Sequence, residues 1–177
     1  MFRSTALIGA TFLTSLAISL PISDATAQTA KEVVGSWTMA SNVNARPDGS
    51  KTETFGPNPR GSLIFTSDGR FSIVNSRSDL PNFTSNNRIT GTPEENKAVI
   101  AGSIALVGTY SVDAAGKTIT LNVENSTFPN WNGTPQQRPF TLAGDEMKWV
   151  NPTASAGGTA EIVWKRIPPS TTGSATR

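Results

Sequence analysis

The sequence predicts an all-β protein built from short antiparallel strands, and two observations predict this class. Apolar and polar residues alternate with period two in short segments that recur roughly every ten residues. Turn-forming pairs such as Asp68-Gly69 separate these segments, and 15 glycines and 12 prolines supply turn residues throughout the chain. A chain of this kind folds as a meander that closes into a barrel or packs as a sandwich.

The predicted strands follow one another along the chain, and each has one apolar face. In the segment 33–41, Trp37 and Met39 share a face, and in the segment 70–76 Phe71 and Ile73 do so. The segments with this alternation are residues 33–41, 61–67, 70–76, 103–112, 117–125, 138–142, 147–150 and 160–167.

One segment predicts a helix. Thr92 is an N-cap residue, Pro93 occupies the first helical position, and Glu95 completes a capping box three residues after Thr92. Gly102 ends the helix after about two turns. We expect this helix to lie across one end of a barrel, and we expect the polar residues 79–90 before it to form a mobile mouth loop.

The N-terminal segment has the pattern of a secretory signal peptide. Arg3 precedes an uncharged run from Ala6 to Leu20, which Pro21 breaks, and Ala25 and Ala27 match a small-x-small cleavage site. The run is shorter than the about 20 residues of a membrane span, so we expect no stable membrane insertion. The pattern predicts a signal peptide at 1–27 and a secreted or periplasmic mature protein.

The remaining chain, about 150 residues, has the size of one domain. We predict a β-barrel domain at 28–167 and a disordered tail, rich in Pro, Ser, Thr and Gly, at 168–177. The sequence contains no Cys and no His, which excludes the usual zinc sites and serine-histidine catalysis. We therefore predict no metal site and no cofactor. The net charge of +2, with scattered Lys and Arg, argues against a nucleic-acid partner.

Five motifs, read in order, resemble the lipocalin-like domain family of small bacterial and fungal proteins. They are VVGSWTMAS, FGPNPRGSLIFTSDGRFS, AGSIALVGTYSVD, FPNWNGTPQQRPF and IVWKR. The resemblance implies an antiparallel, up-and-down, calycin-type barrel of about 8–10 strands with one short helix and a cavity for small hydrophobic ligands. Members commonly carry two histidines where this chain has Leu121 and Asn122, so any chemistry of those histidines is absent here.

The resemblance also implies structural roles for Trp37 and Arg166. In lipocalins the tryptophan of the Gly-x-Trp motif packs at the closed end of the barrel, under a basic side chain from the last strand. Arg166 lies on the same side of its strand as Trp164 and is the first choice, with Lys165 as the alternative. A guanidinium over an indole contributes about 0.5–2 kcal/mol.

Arg138 is the leading candidate for a ligand-binding residue. Arg138 is two residues before Phe140 and four before Leu142, the apolar residues of the same strand. Because side chains alternate between the two faces of a strand, Arg138 is predicted to lie on the inner face with them. An unpaired buried charge is unfavourable, and no Asp or Glu has inner parity in the neighbouring segments. A bound carboxylate, phosphate or enolate would pair with it bidentately. The alternatives are a position at the barrel rim and a bulge at Pro139 that reverses the parity.

Five further residues are predicted to line or close the same pocket. Asn75 and Arg77 continue the inner face of their strand toward the open end, and Tyr110 continues the inner face of its own strand. Trp131, in a loop, and Trp149, in a strand, are aromatic candidates. A few polar groups in an apolar pocket are typical of small-molecule sites. A solvated rim is the alternative for the polar residues, and a core position is the alternative for Tyr110.

Three functions remain open on the sequence. The first is an exported, non-enzymatic barrel that binds a small, mostly apolar ligand with a polar or acidic head group. The second is an isomerase, cyclase or hydratase in which Arg138 stabilises an oxyanion and Tyr110 donates a proton. The third is a stress or interaction protein of the cell envelope whose barrel is filled by its own side chains. That filling requires Phe65, Phe71, Leu106, Phe140 and Trp149. The oligomeric state stays open.

Export predicts a processed N-terminus. The intact mass of the exported protein should correspond to a chain that starts at Gln28, because the cleavage pattern ends at Ala27. An exported species that starts at Met1 would contradict the signal-peptide prediction and, with it, the predicted compartment.

Overall fold

The computed structural model describes residues 30–169 except 114 and 116. Within that range it contains nine strands, the α-helix Pro93–Gly102 and one 3₁₀-helix, and residues 30–33 are also helical. The strands are β1 Gly35–Ala45, β2 Lys51–Glu53, β3 Arg60–Phe65, β4 Arg70–Ser76, β5 Ser103–Val112, β6 Thr118–Ser126, β7 Pro135–Ala143, β8 Glu146–Asn151 and β9 Thr159–Arg166. Helix α1 spans Pro93–Gly102, between β4 and β5, and the 3₁₀-helix η1 spans Pro129–Trp131, before β7.

The sheet is antiparallel and closes on itself. Strands β3 to β9 pair in chain order, and β1 pairs with β3 at one edge and with β9 at the other. The short β2 adds to the far end of β1. Apart from β2, the strands form a closed eight-stranded, up-and-down barrel. The predicted all-β, lipocalin-like barrel with one short helix is therefore confirmed.

The period-two alternation separates the barrel interior from its outer surface. On β4, Phe71, Ile73 and Asn75 are buried, while Val74 between them is exposed. Side chains fill one half of the interior, because an eight-stranded barrel is just wide enough to be packed in this way. The fully buried side chains of that half include Trp37, Leu63, Phe65 and Met147.

A bulge in β1 reverses which residues face inward. The register of β1 against β9 shifts between Met39 and Ser41. Before the bulge Trp37 and Met39 are buried, and after it Asn42 and Asn44 are buried. Strict alternation from Trp37 would place Ser41 inside instead. The bulge therefore brings two asparagines into the half of the barrel that the large apolar side chains leave open.

Arg166 lies across the Trp37 indole at the closed end of the barrel. Its Cζ atom is 4.1 Å from the ring centroid, within the about 6 Å expected of a cation–π contact. Its Nη1 donates to the Val34 carbonyl at 2.9 Å, and its Nη2 donates to the Glu32 carbonyl at 2.5 Å. Trp37 Nε1 donates to the Val33 carbonyl at 2.9 Å. Both side chains thus fasten the segment before β1 to the barrel floor.

Helix α1 begins with the predicted capping box. Thr92 Oγ1 accepts a hydrogen bond from the Glu95 amide at 3.2 Å, and the Glu95 carboxylate accepts one from the Thr92 amide at 2.9 Å. Glu95 also accepts two hydrogen bonds from Thr84 in the preceding loop, and these hydrogen bonds lower the pKa of its carboxyl. Gly102 is the last helical residue, and a Cβ atom there would meet Leu80 Cδ2 at 2.7 Å.

Two predicted segments reach beyond this range. The signal peptide at 1–27 lies outside the described residues, and so do residues 170–177 of the predicted tail. In the part of the chain that the structure describes, no helix has the length and apolar character needed to cross a membrane.

The floor contact predicts coupled effects on stability. Trp37→Ala should lower the free energy of unfolding by about 3–5 kcal/mol, as truncations of large buried aromatic side chains do. Arg166→Ala should lower it less. The double variant should lose less than the sum of the two, because the side chains touch. Urea unfolding followed by circular dichroism measures all three.

Arg70 offers a control for this cycle, since its side chain is half exposed and pairs with Glu124 on the barrel exterior. Trp37→Ala and Arg70→Ala should be additive within about 0.5 kcal/mol. The same additivity for Trp37 and Arg166 would show that the contact contributes nothing to stability.

Candidate functional site

A cavity lies in the half of the barrel opposite Trp37. Its volume is about 60 Å³, smaller than the roughly 150 Å³ of a protein cavity that holds benzene. A ring-sized ligand therefore enters only if side chains at the mouth move. The exposed and half-buried residues of the lining mark this mouth: Thr54, Ile104, Trp131, Ala154, Ser155 and Ala156. Residues 79–90, the predicted mouth loop, are not among the described lining residues.

The wall of the cavity is mostly apolar. Ile73, Ile104, Leu106 and Ile162 line it from three strands, and Phe55, after β2, is buried against it. The polar side chains among the described lining residues include three asparagines, an arginine and three indoles, and no Asp or Glu. An apolar wall with a few polar groups is the usual composition of a small-molecule site.

Arg138 lies on the inner face of β7, as the alternation predicts. Only 3% of it is exposed, and the pattern runs unbroken through the exposed Pro139 to the buried Phe140. Its Nη1 donates to the Gln137 carbonyl at 2.9 Å, its only hydrogen bond with the described residues. No ion pair among those residues includes it.

Burial determines the electrostatics of Arg138. Desolvation lowers the pKa of its guanidinium to about 10, so the side chain remains charged at neutral pH. A buried charge without a counter-ion carries a penalty of several kcal/mol. A ligand that brings a negative charge or a strong acceptor oxygen into the cavity offsets this penalty.

Trp131 covers Arg138 from the mouth. The 3₁₀-helix η1 holds its indole half-buried, at 5.4 Å from the Phe128 ring in an edge-to-face contact. The Arg138 Cζ atom lies 5.9 Å from the Trp131 ring centroid. The motif that contains both residues therefore places an aromatic ring and a cation at the same wall of the cavity.

Several other cavity residues contain polar atoms without a partner. Asn42 Oδ1, Asn75 Oδ1, Trp149 Nε1 and Trp164 Nε1 are buried and make no hydrogen bond with the described residues. Trp149 and Trp164 pack edge to face with their ring centroids 5.4 Å apart. An unsatisfied buried donor or acceptor costs about 1–3 kcal/mol. Stability alone does not account for these choices of residue.

Tyr110 is not among the described residues that line the cavity, so the structure does not bring it together with Arg138 as predicted. Its ring lies 4.5 Å from the Phe65 ring, and its hydroxyl donates to the Thr66 carbonyl at 3.0 Å, near the closed end. Tyr110 lies on the inner face of β5, as the alternation predicts. Its depth differs from the expected one, because β5 runs antiparallel to β4. Asn75 pairs with Ile104, so the chain of β5 moves away from the mouth toward Tyr110. Burial raises the pKa of the Tyr110 phenol, with Asp68 adding to the shift.

Arg77 is also not among the described lining residues, for a different reason. Strand β4 ends at Ser76, and the Arg77 guanidinium turns to Asp79, with Nε and Nη2 donating to the carboxylate at 2.8 and 2.6 Å. This hydrogen-bonded pair lowers the pKa of Asp79. The aliphatic part of Arg77 covers Gly102 of α1. Its charge is neutralised locally, so it is unavailable to the cavity.

Comparison with known proteins agrees with this architecture. A family profile described as "Lipocalin-like domain" matches residues 34–167, three quarters of the chain. The chain belongs to the lipocalin-like domain family. It is also similar to the 4'-hydroxy-3'-methoxypropiophenone carrier protein ppsC of Aspergillus oryzae, at 29% identity in an alignment 90 residues long that covers 45% of this chain and 81% of that protein.

In this lipocalin-like domain, Asn42 and Trp164 are cavity residues that were not predicted from the sequence. Asn42 faces inward only because of the bulge after Met39, and no local pattern announces that bulge. Trp164 shares its inner parity with Ile162, and an indole N–H at an inner position needs a partner. That requirement is a signal from which Trp164 could have been identified.

The unpartnered amide of Asn75 predicts an unusual stability effect. Asn75→Leu should leave the free energy of unfolding unchanged or raise it by about 1 kcal/mol, because leucine has a similar shape and removes an unsatisfied acceptor. Asn151→Leu is the matched control, since Asn151 Oδ1 accepts a hydrogen bond from the Thr153 amide at 3.2 Å. It should lower the free energy of unfolding by about 1 kcal/mol. Equal losses in urea unfolding would contradict the idea that Asn75 is retained for binding.

Proposed function

We propose that this protein is an exported carrier of a small, mostly apolar ligand, whose acidic or carbonyl head group binds to Arg138. The observation that carries this proposal is a charged guanidinium, 3% exposed, in a cavity whose described lining holds no acid. Arginine binds a carboxylate through two parallel hydrogen bonds, and its single hydrogen bond to the Gln137 carbonyl leaves the remaining donors for that purpose.

The carrier role is also supported by the relative from Aspergillus oryzae, which is named as a carrier protein for an aromatic ketone. A ketone oxygen is a neutral acceptor for the same guanidinium donors, and an aromatic ring suits a wall that contains Trp131 and Trp149. The head group of our proposal therefore includes a carbonyl as well as a carboxylate.

The enzyme hypothesis has less support from the geometry. Its proposed proton donor, Tyr110, hydrogen-bonds to a backbone carbonyl near the closed end, away from the residues that line the cavity. The chain contains no His, so histidine cannot serve as the acid or base. No described lining residue is an acid, so acid–base catalysis in the cavity would have to use other groups.

The filled-barrel hypothesis describes only half of the interior. All five side chains that it requires are buried, namely Phe65, Phe71, Leu106, Phe140 and Trp149. Two of these, Leu106 and Trp149, also line the cavity. The barrel thus combines a packed floor with a cavity of about 60 Å³ in its upper half, which suits a carrier better than a purely structural module.

Export of the carrier rests on the N-terminal pattern. The charge at Arg3, the uncharged run and the Ala-x-Ala ending support cleavage after Ala27. We propose that the barrel works outside the cytoplasm, where a carrier shields an apolar ligand from water.

Head-group recognition predicts a charge-selective loss of binding. 3-Phenylpropionate should quench tryptophan fluorescence, with Trp131 and Trp149 as reporters. Arg138→Ala should weaken its binding by roughly 1.5–3 kcal/mol, the range for a hydrogen bond to a charged group. Binding of 3-phenylpropanol, the matching neutral alcohol, should barely change. Arg138→Lys should restore little, since an ammonium lacks the planar fork.

Arg70→Ala is the control variant, because Arg70 lies on the barrel exterior in an ion pair with Glu124 and should not affect either ligand. Equal losses for the acid and the alcohol in Arg138→Ala would assign Arg138 to the fold alone. The absence of any binding by either compound to the wild-type protein would overturn the carrier proposal for aryl ligands.

A further inference from the structure

The segment between β2 and β3, residues 54–59, lies at the mouth of the cavity. Thr54 and Phe55 both belong to the lining, and Phe55 is buried, with 6% of it exposed. All other residues from 46 to 59 are exposed or half-buried. The phenyl ring of Phe55 therefore anchors a stretch of chain that otherwise lies at the surface of the barrel.

This segment is attached to the closed barrel by few interactions. Strand β2, which leads into it, has three exposed residues and pairs with β1 alone. Residues 54–59 make one hydrogen bond with the described residues, from the Gly56 amide to the Glu53 carbonyl at 3.0 Å. Pro57 and Pro59 have no amide hydrogen to donate. Segments with few buried contacts and few hydrogen bonds are the ones that open most readily.

The other two loops at the mouth are held more firmly. Backbone hydrogen bonds tie the loop that contains η1 to β6, one of them from the Gly133 amide to the Val123 carbonyl at 2.9 Å. The connection between β8 and β9 is held to β1 by Asn44, whose Nδ2 donates to the Gly157 carbonyl at 2.6 Å. Of the three, residues 54–59 therefore need to break the fewest interactions in order to move.

The ring of Phe55 occupies space that a ligand needs. The cavity of about 60 Å³ is too small for a ring, and Phe55 is one of the residues that limit it. A ligand ring has the size of the phenyl group, so it can take the place of the Phe55 ring without any shift of the barrel strands. Such an exchange keeps the interior densely packed in both states.

We propose that Phe55 is an internal plug, which fills part of the cavity in the free protein and swings out with residues 54–59 when the ligand enters. This inference rests on the proposed function. Gly56, next to the ring, has a φ of 72°, a conformation that glycine adopts readily, and it serves as the hinge. The plug lowers the apparent affinity for the ligand, because only the open fraction of the protein binds it.

Removal of the plug should change the affinity with a distinctive sign. Phe55→Ala should bind 3-phenylpropionate about tenfold more tightly than the wild-type protein, because a state with a population of about 10% becomes the dominant one. Isothermal titration calorimetry measures both affinities. Unchanged or weaker binding would overturn the plug, since a ring that only forms part of the wall loses a ligand contact when it is truncated.

A fluorine label reports where the ring lies in the bound state. 4-Fluorophenylalanine at position 55 should gain a solvent isotope shift between H₂O and D₂O in its ¹⁹F signal when 3-phenylpropionate saturates the protein. The same label at Phe140, which is buried and not among the described lining residues, should show no such change. A label at position 55 that stays shielded from solvent would overturn the plug, even if Phe55→Ala fails to fold.

The plug and the carrier proposal fail in different ways. If the wild-type protein binds the acid while the label at position 55 stays shielded, the plug is wrong and the carrier proposal stands. Binding by Phe55→Ala alone would support the plug, because the wild-type cavity is then closed by that ring. If neither protein binds the acid, the carrier proposal for aryl acids fails, and the plug fails with it.

Discussion

Closure of the barrel through β1 is the constraint on which the rest of the structure depends. This strand pairs with β3 over its first residues and with β9 along its length, so it joins the first and last parts of the domain. Closure satisfies the edge strands and encloses an interior that eight strands make only just wide enough for side chains. The bulge between Met39 and Ser41 then divides that interior: large apolar residues face inward before it, and asparagines face inward after it.

The two halves of the barrel have different physical roles. At the floor, Trp37 is satisfied through its indole N–H, and Arg166 is held by backbone carbonyls and by the indole face. In the upper half, Arg138 makes one hydrogen bond with the described residues, and the nearby indoles and amides are left unpaired. Such choices lower stability, and natural proteins accept that loss mainly at sites that bind or react. The contrast between the two arginine–tryptophan contacts is the strongest structural argument for a site: the partly exposed Arg166 also pairs with Asp145, whereas the buried Arg138 has no acidic partner among the described residues.

Membership in the lipocalin-like domain family explains the barrel, but a shared fold does not identify the residues that bind a ligand. The match to the lipocalin-like domain spans the barrel, whereas the similarity to the Aspergillus oryzae carrier covers less than half of the chain. Arg138 and Trp131 lie in a single motif, on β7 and η1, and the remaining polar groups come from β1, β4, β8 and β9. A site assembled from so many strands depends on the registers of the whole sheet.

The sequence by itself determined the fold class, most strands, the capping box of α1 and the inward position of Arg138, because alternation and capping are local patterns of a few residues. Only the tertiary structure decided that Tyr110 lies near the floor, since its depth follows from the antiparallel pairing of β5 with β4. The same holds for Arg77, which turns outward to Asp79 once its strand has ended, and for Asn42, which a bulge against β9 turns inward. The face of a strand on which a residue lies follows from its immediate neighbours in the sequence. Its depth in the barrel and the position of a bulge depend on partner strands, which can lie more than a hundred residues away in the chain, as for β1 and β9.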